Sequence, residues 1–521
     1  VLRDVHDAAP MIEHFDVRGR LESFLFVLAV GALVAIGAKR VNLPYNVALV
    51  VVGLVLVFAD VLPHTPMDPE IILVAFLPVL VFEGALGTDA TALRRASKPI
   101  LALAIPGVAI SLVGTAAVAT LVLGLPFPAA LLLGALLAIT DTVSVLLAFR
   151  SVRVPHRLAA IMEGESLFND GTALVLVSLA TGVVATGAID VSDTVRALAL
   201  AMFGGALLGA AFGALGAALL RRVPDHLTAI LASIVLVFAT SLIAERVHAS
   251  PVIAVVVAGL IVGRAARTAL EPSRILALFG FWETMGFGLN VLLFLLVGIQ
   301  LDAAMLIEEA PSIALAVLAL HVGRAVAVYG CFTVMRLVGS ERVPIKWQHV
   351  MVAGNIKGAL SMAAVLALPS NLPHRERLVA IVFGATFATL LLQGLPFRKF
   401  ITWVGAVLPP PEARLERARA TLIAARRGQR ELDTLLAAGL VARNEHAARQ
   451  AAFQKQVIEA ERVLANGTSD GGAALDGSLL LAQKAAVLDA SRRGLVGESV
   501  AAETLNALDR QLMDLERREG H

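Results

Sequence analysis

The segment Glu163-Gly164-Glu165-Ser166-Leu167-Phe168-Asn169-Asp170 sets three carboxylates and an amide inside an otherwise apolar run, and no charge follows from Gly171 to Ile189. A charged side chain at the centre of a bilayer costs about 2.5–3.5 kcal/mol even on the gentler insertion scale. Four more apolar stretches are interrupted in the same way: by Glu83, by Thr140 and Asp141, by Arg324, and by Asn355 and Lys357. Charges at membrane depth face a bundle interior or water, and they tend to pair. Four carboxylates (Glu83, Asp141, Glu165, Asp170) stand against two cations (Arg324, Lys357). Two ion pairs would therefore leave a net negative site, which suits a monovalent cation or a proton.

Helical spacing divides the roles. Ser166 and Asp170 are four residues apart, as are Glu165 and Asn169, so each pair shares a face. Ser166 and Asp170 can offer oxygens to one hard cation, and Thr140 and Asp141 supply more if their helix unwinds. Glu165, about 100° around the helix from Ser166, is placed to hold a cationic neighbour. Arg324 is the best match, because a guanidinium gives a carboxylate two parallel hydrogen bonds. Unwound helices also expose end dipoles; Asp141 would compensate N-terminal ends and Lys357 C-terminal ones. Glu163 reads as lying toward a cytoplasmic entrance, and Glu283 as interfacial beside a Trp282 anchor.

The elements that must position these groups are membrane helices. The chain has 521 residues, 58% hydrophobic and only 16% charged, against about 45–50% apolar in soluble domains. A single cysteine, Cys331, excludes a disulfide framework and a cysteine-based metal site. Apolar windows of helical length fall at 21–38, 43–60, 71–88, 99–123, 127–149, 157–187, 194–220, 226–247, 251–263, 275–299, 311–338, 346–368 and 377–404. That predicts an all-α polytopic membrane protein with thirteen spans. Alternate loops are basic (Lys39 and Arg40; Arg94, Arg95 and Lys98; Arg150, Arg153 and Arg157; Arg221 and Arg222; Arg264, Arg267 and Arg274; Arg342 and Lys346), with Arg398 and Lys399 read as the basic group that follows the last span. The intervening loops carry Asp60, Asp68 and Glu70, then Asp190 and Asp193, then Asp302, Glu308 and Glu309. The positive-inside rule puts the N-terminus outside and the C-terminus in the cytoplasm.

Six spans, a linker span and six more make the fifth and twelfth equivalent, and these are the two interrupted by Asp141 and Lys357. Broken helices at mid-membrane mark carriers built from two inverted repeats. The organisation expected is an extracellular segment 1–20, a membrane domain 21–405 and a cytoplasmic helical domain 410–521. Residues 411–521 hold 16 Lys/Arg and 16 Asp/Glu, against 52 charged residues in the preceding 410. Ala438-Gly439-Leu440-Val441 and Arg493-Gly494-Leu495-Val496 lie 55 residues apart. They suggest two helical hairpins, joined by a linker from Asn466 to Gly477. The tail reads as a docking or dimer-stabilising element, with binding of a regulatory ligand as the alternative.

Glu165-Ser166-Leu167-Phe168-Asn169-Asp170 resembles the Glu-Ser-x-x-Asn-Asp signature of the sodium/proton exchangers, the monovalent cation:proton antiporters that include bacterial NhaP-type proteins. Phe82-Glu83-Gly84, Thr140-Asp141, Phe281-Trp282-Glu283, Gly323-Arg324 and Gly358-Ala359-Leu360-Ser361 extend the match over residues 21–405 in the family's order. The resemblance implies a homodimeric, elevator-type antiporter of the inner cell membrane. It would need no cofactor beyond the transported Na⁺ (or Li⁺) and H⁺, and would engage membrane lipids but no nucleic acid. It implies that Asp170 binds ion and proton alternately, with ligands or water-mediated contacts from Ser166, Thr140, Asp141 and Glu83. Glu165 would pair with Arg324, and Asn169 would order the site. The Asn-Asp pair implies electroneutral exchange.

The sequence departs from the family at Asn355-Ile356-Lys357-Gly358, where Gly-Leu-Arg-Gly is common. Lysine keeps the charge and loses the planar fork. Three other readings compete with Na⁺/H⁺ exchange: K⁺/H⁺ exchange on the same scaffold, a channel, and an intramembrane aspartyl protease using Asp141 and Asp170. The last lacks the Gly-x-Gly-Asp motif expected of it.

Overall fold

The computed structural model describes residues 17–40, 43–59, 71–187, 191–223, 225–301, 303–408, 410–465, 472–492, 497, 500–505, 507–509 and 511. The expected outer-loop acids Asp60, Asp68, Glu70, Asp190 and Asp302, and the second tail motif at 493–496, lie outside them. The regular elements of the described residues are all helices, without strands. They divide into two compact units, Val1–Val407 and Leu408–His521.

Among the described residues of the first unit eight helices are long and apolar enough to cross a membrane: Ser97–Leu123, His156–Thr186, Val195–Arg222, His226–Arg246, Pro251–Ala269, Pro272–Ile299, Ala310–Leu337 and Arg375–Gly394. Shorter apolar helices cover Leu25–Ala38, Tyr45–Phe58, Ile72–Gly87 and Phe127–Leu136. The first helix runs Val17–Arg40, so residues 17–20 are helical and continuous with the first apolar stretch Leu25–Ala38. The shortest window, 251–263, becomes the 19-residue helix Pro251–Ala269. It starts at a Ser250 cap and carries Pro251 where a missing N–H costs nothing.

Proline and glycine shape the rest. Pro106 sits in a π-helical turn at Leu103–Gly107, and Pro396 separates the π turn Leu390–Gly394 from the helix Phe397–Val404. Helices approach closely where side chains vanish: a Cβ on Gly53 would lie 2.4 Å from the Leu295 carbonyl oxygen. Small residues at crossings are how membrane helices gain packing without a hydrophobic driving force. On a loop, Asp225 caps the His226–Arg246 helix, and the Thr228 amide holds its carboxyl below the usual range.

Two stretches break in mid-helix. Phe127–Leu136 ends before an irregular Leu137–Asp141, and Thr142–Ser151 follows. Ile345–Ala353 ends before Gly354–Gly358, and Ala359–Leu366 follows. One apolar core encloses both breaks, through Leu132, Leu136, Ile139, Val350 and Ile356. A second packs Leu77–Gly87 against Val255, Val262 and Trp282. The signature helix His156–Thr186 stands at the seam, with Ile161 and Ala173 in the first core and Leu167 in the second.

Trp282 corrects an expectation. It is only 2% exposed, donates its indole N–H to Ser233 Oγ at 3.0 Å and packs on Phe82 with ring centroids 4.6 Å apart. A satisfied indole N–H lets the ring sit in the core, so Trp282 is no interfacial anchor. It braces the helix that carries Glu83.

In the second unit Pro410–Ala437 and Arg443–Ala465 form a hairpin that turns at Gly439, whose φ is +73°. Gly428 leaves room for the Phe453 ring, and Arg426 meets Glu461 at 2.5 Å. The expected linker is shorter than proposed. Residues 466–471 lie outside the described set, while Gly472–Gly477 already belong to the helix Gly472–Arg492. Ala473, Ala474 and Leu475 are strong helix formers and override the glycines.

Candidate functional site

The two breaks meet. Asp141 N–H donates to the Ile356 carbonyl at 2.8 Å, a backbone bond between two unwound segments. Lys357 Nζ donates to the Ile139 carbonyl at 3.0 Å and to Asn355 Oδ1 at 2.7 Å, and Ser361 Oγ reaches Ile139 O at 3.4 Å. Each break thus supplies partners for backbone groups that a continuous helix would have satisfied internally. Lys357 lies at the carbonyl end of one half-helix, and its own N–H donates to Thr389 Oγ1 at 3.1 Å. Gly358 is required by this closeness, since a Cβ there would lie 2.9 Å from the Asp141 Cβ.

Asp141 is held at the start of the Thr142–Ser151 half-helix. Its Oδ1 accepts from Val143 N–H at 3.1 Å, and its Oδ2 accepts from Ser144 Oγ and, at 3.4 Å, from Asn46 Nδ2. Asn46 also donates to Ser144. In this geometry Asp141 therefore serves as a helix cap, with its oxygens already engaged.

Four side chains of the signature helix make separate contacts. Arg324 Nη1 and Nη2 donate to Glu165 Oε1 and Oε2 at 2.9 Å each, and Arg324 Nε reaches the Met351 carbonyl at 3.3 Å. Both side chains are buried. Asn169 Nδ2 donates to the Ala138 carbonyl at 2.8 Å and to Thr140 Oγ1 at 3.3 Å, so it ties the signature helix to the first break. Ser166 Oγ accepts from Thr140 Oγ1 at 3.4 Å. Among the described residues Asp170 accepts one bond, from Thr140 N–H at 3.5 Å.

A cavity of about 140 Å³ brings Asp170 and Thr140 together with Glu83, Asp141 and Asn290. Glu83 belongs to the helix of the second core, and Gly286 leaves space beside its carboxyl. A larger cavity of about 520 Å³ shares Glu83, Val143 and Asn290 and extends to Ser151, Glu283 and Arg398. Ser166 does not line the smaller cavity, though its hydroxyl neighbours Thr140. Glu163 accepts from Thr88 Oγ1, away from both cavities. Among the described residues no three His, Cys, Asp or Glu side chains gather to hold a metal ion. The arrangement instead offers one carboxylate with few partners and mixed neutral oxygens, a donor set for a hard monovalent cation.

Sequence reasoning passed over Asn46, Ser144 and Asn290. Asn46 and Asn290 are buried amides in apolar helices, the same signal that singled out Asn169. Ser144 gave none, because a serine mid-helix satisfies itself on its own backbone.

A family model, sodium/hydrogen exchanger, transmembrane, matches residues 25–403. The Na⁺/H⁺ antiporter NhaS2 of Synechocystis is 36% identical over 516 residues, 95% of this chain and 94% of that protein. The antiporter ApNhaP of Aphanothece halophytica is 36% identical over 75% of this chain and 76% of its own length. The solved structure of the sodium proton antiporter MjNhaP1 from Methanocaldococcus jannaschii superposes with a TM-score of 0.63 at 21% identity, covering 74% of this chain and 98% of that one.

Proposed function

This chain belongs to the sodium/hydrogen exchanger family, and on that footing we propose that it exchanges Na⁺ for H⁺ at Asp170. The observation that carries the reading is the division of labour among the buried carboxylates. Glu165 is matched to Arg324, Asp141 to a helix end and Ser144, and Asp170 to one long backbone bond inside a cavity. A carboxylate at membrane depth crosses cheaply only when an ion or a proton neutralises it, so the two cargoes compete for it. Thr140 and Ser166 complete the cation's oxygen shell, Glu83 attracts it into the shared cavity, and Lys357 balances the broken helix ends.

The seam between the two cores supports an elevator-type motion, in which the unit around the breaks slides against the helix bearing Glu83. The larger cavity ends beside the basic Arg398, so under the positive-inside rule it opens to the cytoplasm. The same rule supports thirteen spans in two inverted repeats, with the N-terminus outside. A homodimer in the inner membrane follows from the family reading. Asn169 is spent on Ala138 and Thr140 and carries no proton, which supports electroneutral exchange.

The relatives are named Na⁺/H⁺ antiporters, which favours transport over peptide hydrolysis and Na⁺ over K⁺. The test is dissipation of a pH gradient in proteoliposomes, with Na⁺, Li⁺ and K⁺ compared across pH. Na⁺ and Li⁺ are expected to collapse the gradient and K⁺ to leave it standing. Collapse by K⁺ alone would move the assignment to K⁺/H⁺ exchange, and uncoupled ion flow would make the protein a channel.

A further inference from the structure

A cavity of about 830 Å³ lies apart from the carboxylate site, along the helix Phe397–Val404. Its apolar side includes Leu392, Phe400 and Trp403, with Leu392 72% and Trp403 82% exposed. In a membrane-embedded chain such outward apolar side chains face acyl chains, and tryptophan favours headgroup level. Its polar side includes Tyr329, His349 and Lys399, and no acidic side chain is among its described lining residues.

The polar groups on that side have donors to spare. Tyr329 Oη bonds His349 Nδ1 at 2.7 Å; when the phenol donates, the ring proton sits on Nε2 and remains available. Lys399 makes no ion pair among the described residues. A donor-rich, positively charged rim over an apolar wall is complementary to an acidic amphiphile.

We propose that this cavity seats an anionic phospholipid, with its phosphate on Lys399 and His349 and an acyl chain along Leu392, Phe400 and Trp403. The seat adjoins the transport machinery. Val352 and Ala353, which line it, end the half-helix before the Gly354–Gly358 break. Phe397 stacks on Phe149 of the other broken stretch, with ring centroids 6.3 Å apart. A seated lipid therefore props both half-helices from the side. This inference rests on the membrane embedding of the chain and not on which ion is exchanged, so its readout is binding.

The full chain in detergent is mixed with dioleoyl-phosphatidylglycerol or dioleoyl-phosphatidylcholine, and retained lipid is counted by native mass spectrometry. Phosphatidylglycerol is expected to be retained roughly three- to tenfold better, the range for about one ordinary hydrogen bond made in competition with water. Lys399→Gln and His349→Gln should remove that preference, whereas Arg342→Gln, at an exposed loop position, should keep it. Trp403→Ala should lower retention of phosphatidylglycerol by loss of chain contact. Equal retention of the two lipids, or a preference untouched by Lys399→Gln, overturns the proposal. Displacement of the lipid by millimolar inorganic phosphate overturns it too, since the site would then take a free anion. Lys399 is exposed, so its variant decides the matter even where His349→Gln does not fold.

Discussion

Asp170→Asn is expected to abolish Na⁺-driven dissipation of a pH gradient in proteoliposomes while leaving the protein folded. Asparagine matches aspartate in size and keeps an oxygen for the Thr140 amide, the one donor to Asp170 among the described residues. Packing and the first break are thus preserved, and the unfolding midpoint in detergent should barely move. What disappears is the charge that a cation or a proton must neutralise. Glu83 and Asp141 share the cavity, but Asp141 is committed to Val143, Ser144 and Asn46 and cannot substitute without uncapping a half-helix. Substantial residual exchange in Asp170→Asn would remove Asp170 from the centre of the mechanism.

The second large effect is on stability. Arg324→Leu leaves Glu165 buried without its two 2.9 Å bonds, and breaking a buried ion pair from one side costs about 3–5 kcal/mol. Glu165→Gln should likewise destabilise, because it forfeits the charge that the guanidinium needs. The loss should reach the broken region, since Arg324 Nε also reaches the carbonyl of Met351, two residues before the end of a half-helix. Replacing both residues together by leucine should recover most of the stability, as apolar replacements of buried pairs often do. Thermal unfolding of the purified single and double variants reads this directly. A single variant that stays as stable as the parent but loses transport would give the pair a direct part in exchange.

Much of this arrangement was legible in the sequence, for one reason: polar groups at membrane depth are too costly to be incidental. The spacing of Glu165, Ser166, Asn169 and Asp170 on one helix assigned faces, and the geometry joins Glu165 to Arg324 and Asn169 to Thr140. The breaks at Asp141 and Lys357 could be read from charges in apolar runs, but not what each break touches. Lys357 finds Ile139 and Asn355, and Asp141 finds Asn46 from a helix 95 residues earlier. Such pairings depend on how helices cross, which a periodicity cannot give. Trp282 misled because tryptophan beside glutamate looks like a membrane boundary, whereas Ser233 accepts its N–H inside the core. In the tail, glycine-rich composition suggested a linker as far as Gly477, where neighbouring alanines and leucines carry the helix instead.

The central claim is that Na⁺ and H⁺ take turns on one carboxylate. Its most direct test is the apparent affinity for Na⁺, measured as initial exchange rate in proteoliposomes at a series of fixed pH values. Single-site competition requires the concentration of Na⁺ giving half-maximal rate to rise as pH falls, approaching about tenfold per pH unit once the site is mostly protonated. The maximal rate at saturating Na⁺ should change far less. A half-saturating Na⁺ concentration that stays constant while the maximal rate falls with pH would mean that proton and ion bind at separate sites, and would contradict the account.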